Sequence, residues 1–298
     1  MSPPAPSTLD LLRRCVLAVV LLVPFGGWAA QYCGGEVEVE SLSYSSGAHA
    51  VYLWRRGERI KATYFAVASS GQTVYQAYEA WKSSHPKYQI VAVCSGAFSG
   101  AAPAGQNAVP VGLTVQDGVP KNMVVDPVMD GLVVVYSTGG LAVSNLDKGD
   151  LWLESLGRKV NARSTTDKIV LLDWAKNQRA TLFQTQLLAY ANELTLDTTR
   201  ATRESRERRL LALVKQADGI VGHVIIDIKA ATLLGTAASQ ALGHLKARGL
   251  TVVALLNLDT GTYDALEVTP EGKGLAAPKG TQSIQQATNL LVYYFEGT

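Results

Sequence analysis

The sequence predicts an α/β fold (mixed α+β): a single domain with a mixed, partly parallel sheet, a strand-rich N-terminal part and a C-terminal βαβ unit. Three observations carry this expectation. Gly222–Ile228 and Thr251–Leu258 are apolar runs rich in β-branched residues, as in strands buried on both faces. Between them Leu234, Ala237, Ala238, Ala241, Leu242 and Leu245 recur at helical spacing, with Lys246 and Arg248 in the last turn and Gly249 as the stop. Residues 36–68 instead hold short strand-like segments punctuated by Gly47 and Gly57. Strand, helix, strand at this spacing reads as a right-handed parallel unit. Its strand ends aim Asp227 and Asp259 at one sheet edge, where ligands of open α/β sheets bind.

From the N-terminus, Arg13 and Arg14 flank the apolar run Cys15–Val23, which Pro24, Gly26 and Gly27 end. Small residues around Ala29 and Ala30 suit a signal peptidase, so residues 1–30 read as a signal peptide and 31–298 as the exported domain. The run is short of the roughly 20 residues a membrane span takes; an uncleaved anchor is the alternative. With no second long apolar run, the mature chain has no stable membrane insertion, and its expected location is periplasmic or secreted.

Within the domain, Val37, Val39, Leu42 and Tyr44 mark one strand, and Ala50–Trp54 and Ala62–Ala68 two more. Thr73 with Gln76 three residues on is a capping-box pair. Val74, Ala77, Tyr78 and Trp81 then share a helix face, stopped by His85-Pro86. Tyr88–Val93 is a buried strand, residues 99–108 a loop, and Val111–Val115 and Leu132–Tyr136 strand-like. Asp150–Leu156 reads as a strand and Ile169–Trp174 as an amphipathic piece. Residues 196–209 form a polar run carrying Arg200, Arg203, Arg206, Arg208 and Arg209, whose ordinary fate is a solvated face. Leu210–Val214 is a further strand.

Composition narrows the function classes. Apolar residues make up 47% and charged residues 17%, so a sizeable core is available. A net charge of +2 points to no nucleic-acid partner. No phosphate-binding Gly loop, hydrolase elbow or metal-spaced histidine set occurs, so no cofactor or metal is expected. Cys33 and Cys94 remain once Cys15 leaves with the signal; in an oxidising compartment they form one disulfide or stay as two buried thiols.

Asp259-Thr260-Gly261-Thr262 spells the catalytic turn of an aspartic protease, a chemistry that needs two such turns sharing a proton, and only one occurs. Asp259 follows a buried strand in a Gly turn, a place for either a reacting carboxylate or a turn acceptor. Asp227 is its candidate partner in acid–base work. Arg209, at the mouth of a strand, is placed for a bidentate phosphate clamp or a structural ion pair.

In their order, these motifs resemble the phosphodiester glycosidase family (N-acetylglucosamine-1-phosphodiester α-N-acetylglucosaminidase-like), of which the chain looks like a divergent member. The family's Asn-Gly-Gly-Phe-like turn resembles Cys94-Ser95-Gly96-Ala97-Phe98, and its Pro-x-Gly-Leu strand and Asp-Gly turn resemble Pro110–Leu113 and Asp117-Gly118. Gln184–Leu188, Arg209–Ala212 and Asn289–Tyr293 stand for its Gln-led, Arg-led and last strands. Its signature Asn-Leu-Asp-Gly-Gly turn resembles Asn257-Leu258-Asp259-Thr260-Gly261. Ser95, Thr260 and Ile228 replace the family's Asn and two Gly.

The resemblance implies an exported hydrolase acting on a sugar phosphodiester or envelope glycan. Asp259 and Asp227 would be catalytic, with Ser95, Gly96, Gln184, Gln186, Arg209, Asn257, Thr260 and Gly261 binding substrate. The substituted turns suit an alternative, a non-catalytic envelope protein that binds glycan at an eroded site; an aspartic-protease-like enzyme is the distant third. Sequencing the mature N-terminus is expected to show a start near Ala30 or Gln31, and a protein keeping Met1 or Ser2 would end the export reading.

Overall fold

The computed structural model describes residues 29–66, 71–100, 108–196 and 204–296. The signal segment before Ala29, residues 101–107 of the expected loop, and Arg200 and Arg203 lie outside the described residues. In chain order the elements are β1 (Ala30–Tyr32), β2 (Val37–Leu42), β3 (Ala48–Trp54), β4 (Ile60–Phe65), α1 (Val74–Ser84) and β5 (Tyr88–Cys94). Then come β6 (Thr114–Gln116), β7 (Val119–Asn122), β8 (Gly131–Val135), β9 (Leu141–Asn145), β10 (Leu151–Leu153), β11 (Arg158–Val160), α2 (Thr165–Gln178), β12 (Thr181–Tyr190) and β13 (Glu193–Leu194). Last are β14 (Ser205–Lys215), β15 (Val221–Leu233), α3 (Leu234–Ala247), β16 (Thr251–Leu258), β17 (Leu266–Val268) and β18 (Leu290–Glu296).

The expected mixed, partly parallel sheet is not what forms; the protein is a β-rich fold of antiparallel sheets. The large sheet runs β1-β2-β3-β15-β14-β16-β12-β6-β7, with β8, β9 and β13 joined beside β12, and the small sheet runs β17-β5-β18-β4. The C-terminal strand–helix–strand unit exists in chain order, and β15 and β16 do run the same way. But β14 lies between them and pairs antiparallel with both. Their apolar runs are explained by layering. α3 covers one face of the large sheet and the small sheet covers the other, so antiparallel strands become buried on both faces, as parallel ones usually are. The small sheet repeats the device: β4, α1 and β5 form a crossover, with β18 antiparallel to both strands and between them.

Strand parity sorts the core. Leu211, Leu213, Ile225, Leu256 and Leu258 of the large sheet meet Tyr64, Cys94, Leu291 and Tyr293 of the small one. On the far face Leu210, Ala212, Ile226 and Leu255 meet Ala237, Ala241 and Leu245 of α3. The outer face of the small sheet packs Phe65, Val93 and Val292 under Val74 and Tyr78 of α1, whose capping box of Thr73 and Gln76 forms as the sequence suggests. α2 and the β10–β11 ribbon cover the remaining end of the large sheet through Leu171, Trp174, Leu151 and Leu153. No helix among the described residues is long and apolar enough to cross a membrane.

Of the two alternatives for the cysteines the disulfide does not form: both are free, Cys94 buried and Cys33 only partly so. Cys33 sits at the end of the sheet where Trp54 faces Gly222, whereas Cys94 lies within the field of Arg209 and Asp227, where Asp227 faces His49. From Gly222 to Asp227 is five residues of β15, about 17 Å of strand, well beyond disulfide reach.

One buried group makes the fold acid-sensitive. His223 is 1% exposed, and neither ring nitrogen has a hydrogen-bond partner among the described residues. Burial, helped by the charge of Arg55, lowers its pKa from 6.5 to about 3. The unfolded chain therefore takes up this proton near pH 6.5 and the folded chain near 3. The stability tied to neutral His223 is whole above pH 6.5 and is lost as pH falls toward 3, at up to about 1.4 kcal/mol per unit. Urea midpoints measured from pH 7 downward are expected to drop through this window. His223→Leu is expected to flatten the part between pH 6.5 and 5, and an unchanged slope would contradict this.

Candidate functional site

Asp227 does not end its strand, since β15 runs six residues past it to Leu233, but in the ladder it stands level with Leu258, the last residue of β16. Arg209 of β14 sits opposite Asp227 of β15 and Leu258 of β16. On its strand it has the parity of Leu211 and Leu213, so its side chain enters the space between the two sheets. There the guanidinium is fully buried. Nη2 donates to Asp227 Oδ1 at 3.0 Å and to Asp264 Oδ1, and Nη1 donates to the carbonyl of Ala265 at 2.8 Å. The half-exposed Lys229 adds a second cation, 3.1 Å from Asp264 Oδ2 and 3.5 Å from Asp227 Oδ2. Burial pushes the Asp264 carboxyl up, but Arg209 and the N–H and hydroxyl of Thr281 outweigh it and hold the pKa at about 2.

Asp259, the first residue past β16, is 6% exposed. Its N–H donates to the carbonyl of Gly96 at 3.0 Å, and its Oδ1 accepts the N–H of Gly261 at 3.0 Å. Burial raises its carboxyl above the usual carboxylate range, against the opposing N–H groups of Gly261 and Ser99 and the charge of Arg209. Two carboxyls near one guanidinium are thus driven apart, Asp259 toward the acid and Asp264 toward the carboxylate. Such divergence is how acid and base roles separate within one site. Among the described residues, no group of three or more His, Cys, Asp or Glu is placed to hold a metal ion.

The loop after β5 closes over this edge from the small sheet. The Ser95 N–H donates to the Ala265 carbonyl at 3.0 Å and its hydroxyl donates to the carbonyl of Tyr263. Gly96 donates to Asn289 Oδ1 at 2.9 Å, and Asn289 Nδ2 returns to the Ala97 carbonyl at 2.8 Å. A Cβ at Gly96 would stand 2.8 Å from the Tyr64 ring, so this glycine is required by close approach. The hydroxyl of Thr260 donates to the Glu207 carbonyl at 2.9 Å.

Asp259, Asp227, Arg209, Ser95, Gly96, Thr260 and Gly261 therefore come together, whereas the remaining three expected residues do not. Gln184 is buried and braces loops, donating to the carbonyl of Met129 at 2.8 Å and accepting from the Asp126 N–H at 3.0 Å. Asn257 donates to Gln186 at 2.8 Å, but it shares strand parity with Leu255 and so lies on the α3 face of the large sheet, across the backbone from Arg209. Sequence reasoning missed Asp264, Lys229 and Asn289. Asp264 stands only five residues past Asp259, a signal open to reading; Asn289 is tied to the site by tertiary bonds alone.

No family model matches the chain, and no curated protein does. Among solved structures it shows weak similarity to the catalytic domain of zebrafish N-acetylglucosamine-1-phosphodiester α-N-acetylglucosaminidase, auto-inhibited by its pro-peptide. The identity is 11% and the TM-score 0.45, over 91% of this chain and 81% of that one. It is also similar to a Burkholderia pseudomallei K96243 protein described, by inference, as exported, at 12% identity and TM-score 0.42 over 83% of this chain and 73% of the other.

The geometry separates scaffold from site. Arg209→Leu leaves Asp227 and Asp264 buried without their main counter-charge, and denaturant unfolding is expected to show a loss of about 3–5 kcal/mol. Arg209→Lys should restore little, since one ammonium cannot span both carboxylates and the Ala265 carbonyl. In Asp259→Asn the amide oxygen still accepts from Gly261, so the loss should stay below about 1 kcal/mol. Equal losses at both positions would mean that Asp259 is scaffold too.

Proposed function

We propose that the chain is an exported glycosidase-like hydrolase acting on a sugar phosphodiester or envelope glycan, with Asp259 as the reacting carboxyl. The observation that carries this reading is the raised pKa of Asp259 at an edge where β14, β15, β16 and β5 all converge. Burial holds the Asp259 proton to a higher pH than an ordinary carboxyl would, the direction required of an acid that donates to a leaving oxygen. Asp227 is the companion carboxylate; Arg209 fixes its Oδ1, and its Oδ2 accepts no hydrogen bond. Since β14 separates the strands that carry the pair, their backbones stand about two strand spacings, roughly 9.6 Å, apart. That favours the wider carboxyl separation of inverting hydrolysis over the closer retaining one.

One observation favours the second reading, a non-catalytic envelope protein that binds glycan. The Arg209 guanidinium is fully buried, with Nη1 and Nη2 bonded to Ala265, Asp227 and Asp264, which leaves it no exposed face for a substrate phosphate. The protease reading has less support, because Asp264 is committed to Arg209 and Thr281 and is no partner for a shared proton. Turnover of a sugar phosphodiester and of neutral glycans by the mature protein, beside Asp259→Asn, tests the proposal. Activity that vanishes in a folded variant is expected. Unchanged activity removes Asp259 from the chemistry, and glycan binding without turnover in the parent supports the second reading.

A further inference from the structure

A second surface, containing none of the residues gathered around Asp259, carries its own ligand chemistry. Where the β4 edge of the small sheet meets the α2 end of the large one, a cavity of about 300 Å³ opens. One wall is aromatic. His85 stacks on Tyr88 with centroids 4.7 Å apart, Tyr88 stacks on Tyr294 at 4.6 Å, and Trp81 meets Tyr294 edge-on at 5.2 Å. Each ring is held by its neighbour, so little side-chain freedom is left to lose on binding. The opposite wall brings two charged side chains, Asp117 from the β6–β7 turn and Arg179 from the end of α2.

Neither Asp117 nor Arg179 has a side-chain hydrogen bond or ion pair among the described residues, and both are exposed. Arg179 also takes φ +50° at the helix C-cap, a left-handed conformation that only glycine adopts without cost. Asp117 and Arg179 are thus both available to a ligand in the cavity they line.

A second cavity adjoins it. Tyr136 is shared with this second one of about 520 Å³, lined by Trp152, Glu154, Trp174 and Gln178. The Tyr136 and Trp174 rings meet edge-on at 6.0 Å. Trp152 is 51% exposed although Leu151 and Leu153 on either side of it are buried. The period of the strand turns this indole outward over the second cavity. An exposed tryptophan beside fixed aromatic rings is a surface with area to bury on binding.

We infer that these two cavities form one track for a neutral, linear oligosaccharide, distinct from the Asp259 edge. A pyranose presents an apolar C–H face that lies against an aromatic ring and a rim of hydroxyls that carboxylate, guanidinium and amide groups pair with; the two cavities are lined by both kinds of group. One guanidinium against two carboxylates, Asp117 and Glu154, gives no excess positive charge for a phosphate or an acidic sugar. Two cavities joined at Tyr136 suit a ligand of more than one ring.

The test is titration of the mature protein with cellohexaose, chitohexaose, maltohexaose and laminarihexaose, followed by calorimetry and tryptophan fluorescence. At least one is expected to bind and perturb the fluorescence. Trp152→Ala and Arg179→Ala, both at exposed positions, should keep the parent melting temperature and weaken binding about tenfold or more, which is about 1.4 kcal/mol. Lys246→Ala, at an exposed position of α3 that lines neither cavity, should bind as the parent does. Absence of binding by all four sugars, or undiminished binding in both track variants, would each overturn the assignment.

Discussion

The buried Arg209 guanidinium is the constraint on which the arrangement of this protein rests. It rises from β14, at the centre of the large sheet, and ends on Asp264 and Ala265, at the entry to β17 of the small sheet. A charge taken out of water is tolerable only when paired and hydrogen-bonded, so the two sheets can approach only where Asp227 and Asp264 meet it. Ala265 also receives the N–H of Ser95, so the same contact fixes the loop carrying Gly96 and, through Gly96, the backbone of Asp259. Asp259 is held by a chain of bonds that begins at an ion pair serving the fold. An arginine at a strand mouth looks like a substrate clamp in the sequence; here Nη1 and Nη2 are bonded within the fold and the whole side chain is buried.

Around that tie the chain uses one device twice. In each sheet a helix carries the chain from one strand to another of the same direction, and a third strand runs back between them: β14 in the large sheet and β18 in the small one. Both helices end on outer faces, which leaves the two inner faces to each other and produces four layers from antiparallel pairs. The strand ends on either side of each inserted strand still point the same way, so chemistry expected at the carboxyl edge of a parallel sheet finds an equivalent edge here.

Local signals were readable and distant pairing was not. The Thr73–Gln76 capping box, the apolar face of α3 with its Gly249 stop and the bounds of β16 follow from neighbours in sequence, and they stand where the residues put them. The place of β14 between β15 and β16 depends on which runs meet in space, which periodicity does not encode. Its arginine-rich start reads as a solvated run, yet Arg206 and Arg208 pair with Thr232 and Ile228 in the ladder. β12 lacks alternation because it packs on both faces and changes partners midway, from β8 and β6 to β16. At the site, the residues near Asp259 in sequence were found, but Asn257 and Gln186 fell on the wrong face through strand parity alone.

The place of β18 bears on how the molecule assembles. It is the last strand in chain order and fills the centre of the small sheet, so β4 and β5 have no common partner until it arrives. The hairpin of β14 and β15 can close early on local contacts, whereas the small sheet depends on pairing across most of the chain, the slow kind of contact. Until then two apolar strands present open edges, the condition under which a chain pairs with its neighbours. A partly made copy would hold the large sheet's hairpin and an unfinished cleft, and only β18, sliding between strands made long before, would close it.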